Sequence, residues 1–247
     1  SKDKAGTASM LAALLNESTR RRSTEEMSNE LQKLGASISI SVQNLYVTVF
    51  VSSLTKNLDA TLALVQEKLF EPAFLKEDYV RVHQQTLQGI LNNKKDAGYL
   101  ASTAYRALLY GDNIAGLPGG GNETTLQSVT LDDVKGFYDT NLKPSGAQLI
   151  VVSDLQQAPL IASIDKVLGG WKGEGRKLEL TLPVPSHEVN TVYLVNKDEA
   201  VQSAIRIGKR DLKQDITGEY YRSGLMNFPL GGHFNSRINL NLREEKG

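Results

Sequence analysis

Apolar positions return every three to four residues along some stretches of the chain and every second residue along others, and these two periods divide it into helices and strands. Ala5, Ala8, Leu11, Ala12 and Leu15 share one face and predict a helix over 5–16, its small residues suited to close packing on a sheet. Ser23-Thr24-Glu25-Glu26 fits a capping box, Met27, Leu31 and Leu34 form the stripe of the helix it opens, and Gly35 ends that helix. Two alternating runs, 37–42 and 46–52, predict a hairpin turning at Gln43-Asn44-Leu45. Helical spacing returns at Leu58, Leu62, Val65 and Leu69, stops before Pro72, and resumes over about 76–95 and 98–110. The stretch 111–129 contains Gly116-Leu117-Pro118-Gly119-Gly120-Gly121. Without a preceding strand or a Lys-Ser/Thr pair it reads as a long surface loop, not a phosphate cradle.

Thr130-Leu131-Asp132-Asp133 starts another helix, which runs to about Leu142 and leads into a predicted strand over 147–153. Pro159 sits in the first turn of the next helix, which stops at Gly169-Gly170. Residues 173–188, with two glycines and two prolines among charges, read as a linker between a first domain at 1–172 and a second at 189–247. The second domain restarts the pattern with strands at 191–195 and 201–208 and a helix from Thr217 to about Asn227. At the end, a double glycine precedes Phe234, Ile238 and Leu242, which recur every four residues as the stripe of a terminal helix. Helices mixed with hairpin-like strands predict an α+β fold, with helices packed on largely antiparallel sheets. The second domain reads as shorter than the first, as though part of it were missing.

Composition narrows the chemistry. Lys+Arg and Asp+Glu both number 28, which removes any whole-chain attraction to nucleic acid or an anionic membrane surface. With no Cys there can be no thiolate zinc site, cysteine nucleophile or disulfide. No apolar run is long enough to predict a membrane span. The three histidines, His83, His187 and His233, stand apart, none with a second His or a suitably spaced Glu, and each reads as a surface or hydrogen-bonded side chain rather than a metal ligand.

Two segments carry a resemblance. Asp198 to Gly208, with Gln202-Ser203 inside it, is followed by Leu230-Gly231-Gly232-His233-Phe234-Asn235-Ser236-Arg237-Ile238 and then Leu242-Arg243-Glu244-Glu245-Lys246-Gly247. Together they resemble the M16 peptidases, the family of pitrilysin, insulin-degrading enzyme, the mitochondrial processing peptidase and bacterial insulinase-like proteins. Gly6-Thr7-Ala8 through Ser18-Thr19, Leu34-Gly35-Ala36, Tyr110-Gly111-Asp112, Pro144 and Val151-Val152 extend the likeness over the whole chain. The resemblance implies two related ferredoxin-like (LuxS/MPP-like) domains, and a periplasmic location if the source is bacterial.

M16 peptidases hold zinc with an inverted motif, His-x-x-Glu-His, on the first helix and a further carboxylate on a later one. Two imidazoles four apart on one helical face reach the same ion, and the Glu between them acts as general base for its water. On that frame this sequence has Ser9, Ala12 and Ala13 for the motif and Gly89 for the late carboxylate. Neither a ligand nor the base is kept, so no cofactor is expected in this chain and zinc is expected in a partner.

Zinc-free members resemble this chain and pair with a zinc-bearing subunit, contributing an Arg and a Tyr to a shared active site. The Arg position falls at Arg243; the Tyr position lies past Gly247. The resemblance therefore implies that Arg243 contacts the substrate carbonyl as it becomes an oxyanion, with Arg237 as a lesser contact. Peptide is expected to add as a strand along 201–208, at Gln202 and Ser203. Two other readings stay open: a scaffold that kept the fold and lost all chemistry, and a peptide-binding or chaperone-like module that needs no partner.

Overall fold

The computed structural model describes residues 2–43, 46–175, 181–182, 191–208, 210 and 212–246. They form two compact units, Ser1–Arg206 and Ile207–Gly247. The hairpin turn at Asn44 and Leu45, His187 and most of the predicted linker lie outside the described residues.

The first unit is built around helix α1, Thr7–Leu15. Met10, Leu11, Leu14 and Leu15 are almost fully buried on it, an apolar density that only a central helix can satisfy. Helix α2, Thr24–Leu34, starts on the predicted capping box: the Ser23 side chain accepts from the Glu26 N–H, and the Glu26 carboxylate accepts from the Ser23 N–H. It ends at Gly35, whose φ of 58° is the left-handed conformation a Cβ would resist. Strands β1, Ser37–Gln43, and β2, Tyr46–Ser52, pair antiparallel from Ser37↔Ser52 to Gln43↔Tyr46. Ile40 is turned into the core, as the period-two pattern requires. The other edge of β1 is met by Asn16, just past α1: its amide donates to the Ile40 carbonyl (2.7 Å) and accepts from the Ile40 N–H (3.0 Å). One side chain thus stands in for a neighbouring strand.

Helix α3, Leu58–Phe70, adds Val65 and Leu69 to the core, and α4, Lys76–Asn93, adds Val82 and Ile90. Helix α5 spans Ala97–Tyr110. The predicted surface loop holds a short helix, α6, Glu123–Ser128, opened by a second capping box at Asn122 and Thr125, with Leu126 fully buried. Helix α7, Leu131–Asn141, is capped by Thr130, buries Val134 and packs on α1; α8, Gln157–Leu168, packs on α3. Removing core volume at α1 is costly because the surroundings relax only in part. Leu11→Ala is expected to lower stability by about 2–5 kcal/mol, read as a fall in the urea midpoint at unchanged slope.

The C-terminus of α1 meets a charged layer. The Lys68 ammonium is buried and donates to the Asn16 carbonyl (2.8 Å), satisfying a carbonyl the helix leaves open. Burial pushes its pKa down. Beside it the buried Glu67 carboxylate accepts from Thr19 and from Arg22.

A second electrostatic tie joins residue 4 to α7. The Lys4 ammonium lies 2.7 Å from Asp133, whose carboxylate also accepts from the Thr130 hydroxyl and N–H. Lys4, then Thr130, hold the Asp133 pKa at about 2, below its ordinary 3.8. A carboxyl with a depressed folded pKa stabilises the fold above its unfolded pKa and loses that contribution as pH falls toward the folded value. With Asp133 31% exposed, solvent screening reduces the effect to about 1 kcal/mol. Asp133→Asn should therefore destabilise the protein at pH 7 and match the parent near pH 2, as thermal melts across that range would show.

Three predicted strands are irregular chain instead. Residues 147–153, 191–195 and 201–208 join no ladder among the described residues, and the sheet there is β1–β2 alone. Their apolar side chains stand in solvent, with Ile150 86%, Val152 96%, Leu194 92% and Val201 98% exposed. A run with strand composition becomes a strand only when another chain segment takes up its N–H and C=O groups.

The second unit consists of α9, Glu219–Asn227, continued by a wider π-type turn at Phe228–Gly232, then the short α10, Arg237–Asn239, which runs into a second π turn at Leu240–Glu245. Ser236 caps α10 by accepting from the Asn239 N–H and is almost fully buried. Phe234 precedes this cap, so it leaves the predicted stripe, and Ile238 and Leu242 are largely exposed.

Candidate functional site

The four positions that the family resemblance sets against the zinc motif fall on two helices in contact, Ser9, Ala12 and Ala13 on α1 and Gly89 on α4. The Ser9 hydroxyl donates to the Gly119 carbonyl, 3.1 Å away, and so tethers the glycine loop to the first turns of α1. The loop can lie this close because two glycines face each other. A Cβ on Gly6 (φ 104°) would meet the Gly120 carbonyl, and one on Gly121 (φ 79°) would overlap the Ala5 carbonyl. Ala12 is buried, Ala13 is partly covered, and a Cβ at Gly89 would meet open space. This donor set does not fit zinc: the hydroxyl already serves a carbonyl, and two methyls and a hydrogen have no lone pair. Among the described residues no three His, Asp or Glu side chains gather as a metal site.

His83 and His233 are held locally. His83 Nε2 bonds the Leu126 carbonyl at 2.9 Å, with its ring beside Tyr79. His233 Nδ1 accepts from the Asn235 N–H at 3.2 Å, with its ring beside Phe228.

Gln202 and Ser203 are exposed in the first unit, on the run 201–208, irregular chain that begins with a bend at 201–202. The Arg206 guanidinium anchors that run to α5 through the Ser102 hydroxyl, 3.2 Å away. Among the described residues no backbone-to-backbone hydrogen bond involves 201–208, and the Ile205 carbonyl accepts from the Arg206 guanidinium at 3.1 Å. Arg237 and Arg243 are exposed in the second unit and six positions apart, a spacing that places them on different faces. The Arg243 guanidinium lies 5.0 Å from the centre of the Phe234 ring, and its Nε is 4.0 Å from Glu244. It stands in the widened turn, a helical irregularity frequent at functional sites. Neither the Ser9 tether nor the Phe234 contact follows from spacing, because each joins positions that periodicity does not relate.

Two sequence profiles divide the chain between them. The insulinase (peptidase family M16) profile matches residues 1–116, and the peptidase M16 inactive-domain profile matches residues 128–247. The chain belongs to the M16 peptidase family. Among its M16 relatives, the non-peptidase homolog YmxG of Helicobacter pylori is 23% identical over 100% of this chain and 56% of its own length. An uncharacterized zinc protease YmxG of Bacillus subtilis is 20% identical over 98% of this chain and 58% of its own. The chain thus spans about half the length of the curated relatives it matches. The crystal structure of a peptidase M16 inactive domain from Pseudomonas fluorescens superposes with a TM-score of 0.80 at 21% identity, covering 98% of this chain and 58% of that one. A conserved protein from Enterococcus faecalis does so with a TM-score of 0.74 at 17% identity, over 100% of this chain and 62% of its own. These likenesses show the M16 fold, an α+β architecture. No helix among the described residues is long and apolar enough to cross a membrane.

Proposed function

We propose that this chain is the zinc-free member of an M16 pair: it binds peptide and completes the active site of a separate, zinc-bearing M16 subunit. The observation that carries the reading is the joint loss of donors at Ser9, Ala12, Ala13 and Gly89 in a chain that matches both M16 profiles. Its relation to a non-peptidase homolog supports the same reading. In this proposal the peptide adds along 201–208, taking up backbone groups there and passing Gln202 and Ser203. Arg243 donates its guanidinium N–H groups to the substrate carbonyl as negative charge develops on the oxygen, an interaction that strengthens toward the tetrahedral intermediate. Arg237 steadies the terminal helix or the substrate. The partner supplies zinc and the attacking water.

The test is reconstitution. The purified chain is expected to cleave no peptide alone, and to give chelator-sensitive cleavage when mixed with an M16 chain from the same genome that carries His-x-x-Glu-His. Cleavage by this chain alone would overturn the reading. Stable association with no dependence on Arg243 would favour a scaffold instead.

A further inference from the structure

On the first unit, away from the zinc-site positions, lies a half-enclosed cleft of about 280 Å³ between the segments 18–20 and 71–74 and helix α7. Its inner wall is held rigidly. Thr19 and Pro72 form an isolated antiparallel bridge, the Arg20 N–H donates to the Glu71 carbonyl, and the Ala73 N–H donates to the Ser18 carbonyl. Phe74 closes the end with φ of 46°, a left-handed conformation costly for a bulky L-residue. Such an outlier persists only where its surroundings over-determine it, and it is more often found at binding sites than elsewhere. The Phe74 ring packs edge-on against Tyr138, 5.3 Å between centres, and the Tyr138 hydroxyl donates to the Leu69 carbonyl at 2.7 Å. The cleft is therefore lined in part by aromatic rings, two of them tied to each other and to the backbone.

Its rim is charged. Arg20 and Lys135 stand on it as cations, and Asp139 lies one turn beyond Lys135 on α7. Among the described residues these three exposed side chains make no hydrogen bond or ion pair with protein. Two cations and one anion leave a net positive site whose one carboxylate can take an N–H. At about 280 Å³ the space falls just below the ~300–1,000 Å³ of ordinary ligand pockets, enough for one residue and not for a stretch of peptide.

We infer that this cleft binds the carboxy-terminal residue of a peptide, preferably one with an aromatic or large aliphatic side chain. The side chain would rest on Phe70, Phe74 and Tyr138, the α-carboxylate would meet Arg20 and Lys135, and the last peptide N–H would donate to Asp139. This needs neither a zinc-bearing partner nor Arg243, so it stands or falls apart from the function proposed above.

The protein carries its own reporter. Trp171, the sole tryptophan, packs edge-on against Phe70, 5.6 Å between ring centres. Titration with N-acetyl-L-phenylalanine should change its fluorescence saturably, with Kd of roughly 1 mM. N-acetyl-L-phenylalanine amide, which lacks the carboxylate, should bind about fivefold more weakly or worse. Arg20→Gln and Lys135→Gln should each weaken the acid by a similar factor and leave the amide unchanged. Both residues are exposed, and circular dichroism would check that the variants fold. No saturable change, or equal binding of acid and amide by the parent protein, would overturn the inference. So would folded variants that bind the acid as the parent does. Tighter binding of free phenylalanine than of the acetylated compound would overturn the assignment to a chain terminus.

Discussion

Arg243→Ala is expected to lower turnover by the reconstituted pair by roughly 10²-fold or more, with little change in the stability of this chain. The side chain is 63% exposed, and among the described residues it meets one ring face and a distant carboxylate, so the fold does not rest on it. If the guanidinium acts on the developing oxyanion, kcat and kcat/KM should fall together, because the interaction is made in the transition state. Arg243→Lys would keep the charge and lose the planar fork, and should recover part of the rate. Arg237→Ala should cost less. Steady-state kinetics on the mixed subunits decides between the readings: a scaffold would give the parent's kcat in every variant.

The triple variant Ser9→His/Ala13→His/Gly89→Glu should bind one zinc ion per chain, where the parent should bind none. The first two put imidazoles four apart on α1, the third adds a carboxylate from α4, and these helices pack together. At Gly89 the new side chain enters open space and removes a glycine from a helix interior, which itself favours the helix by up to about 1 kcal/mol. At Ser9 the tether to Gly119 is lost, a cost of about 1 kcal/mol. Zinc at a hundredfold excess over Kd would return about 2.7 kcal/mol of stability, reversible with chelator, so the gain exceeds the loss. Calorimetric titration and melting temperatures with and without zinc measure both. A folded triple variant that took up no zinc would mean these positions do not form the ancestral site, and the zinc-free reading would lose its foundation.

The helices were legible because their signals are local. Ser23 and Glu26, Thr130 and Asp133, and the glycine at 35 act within one turn, where sequence order and spatial order coincide. The hairpin was legible for the same reason. Helix α6 was hidden by the glycines before it, although Asn122 and Thr125 carry the signal that would have revealed it. The runs at 147–153, 191–195 and 201–208 read as strands from composition, but pairing depends on distant segments that composition does not specify. The same limit applies to the site. Missing donors can be seen residue by residue, whereas the Ser9–Gly119 bond, the Phe74 conformation and the Phe234–Arg243 contact arise only when separate stretches meet.

The tethered glycine loop makes any return of metal ligands a coupled change in this chain. A lone histidine at position 9 would break the tether, and a lone glutamate at the buried position 12 would bury a charge with nothing to answer it. These two changes are penalised when made singly, whereas Gly89→Glu is not, so a metal site rebuilt one residue at a time on α1 would pass through less stable proteins.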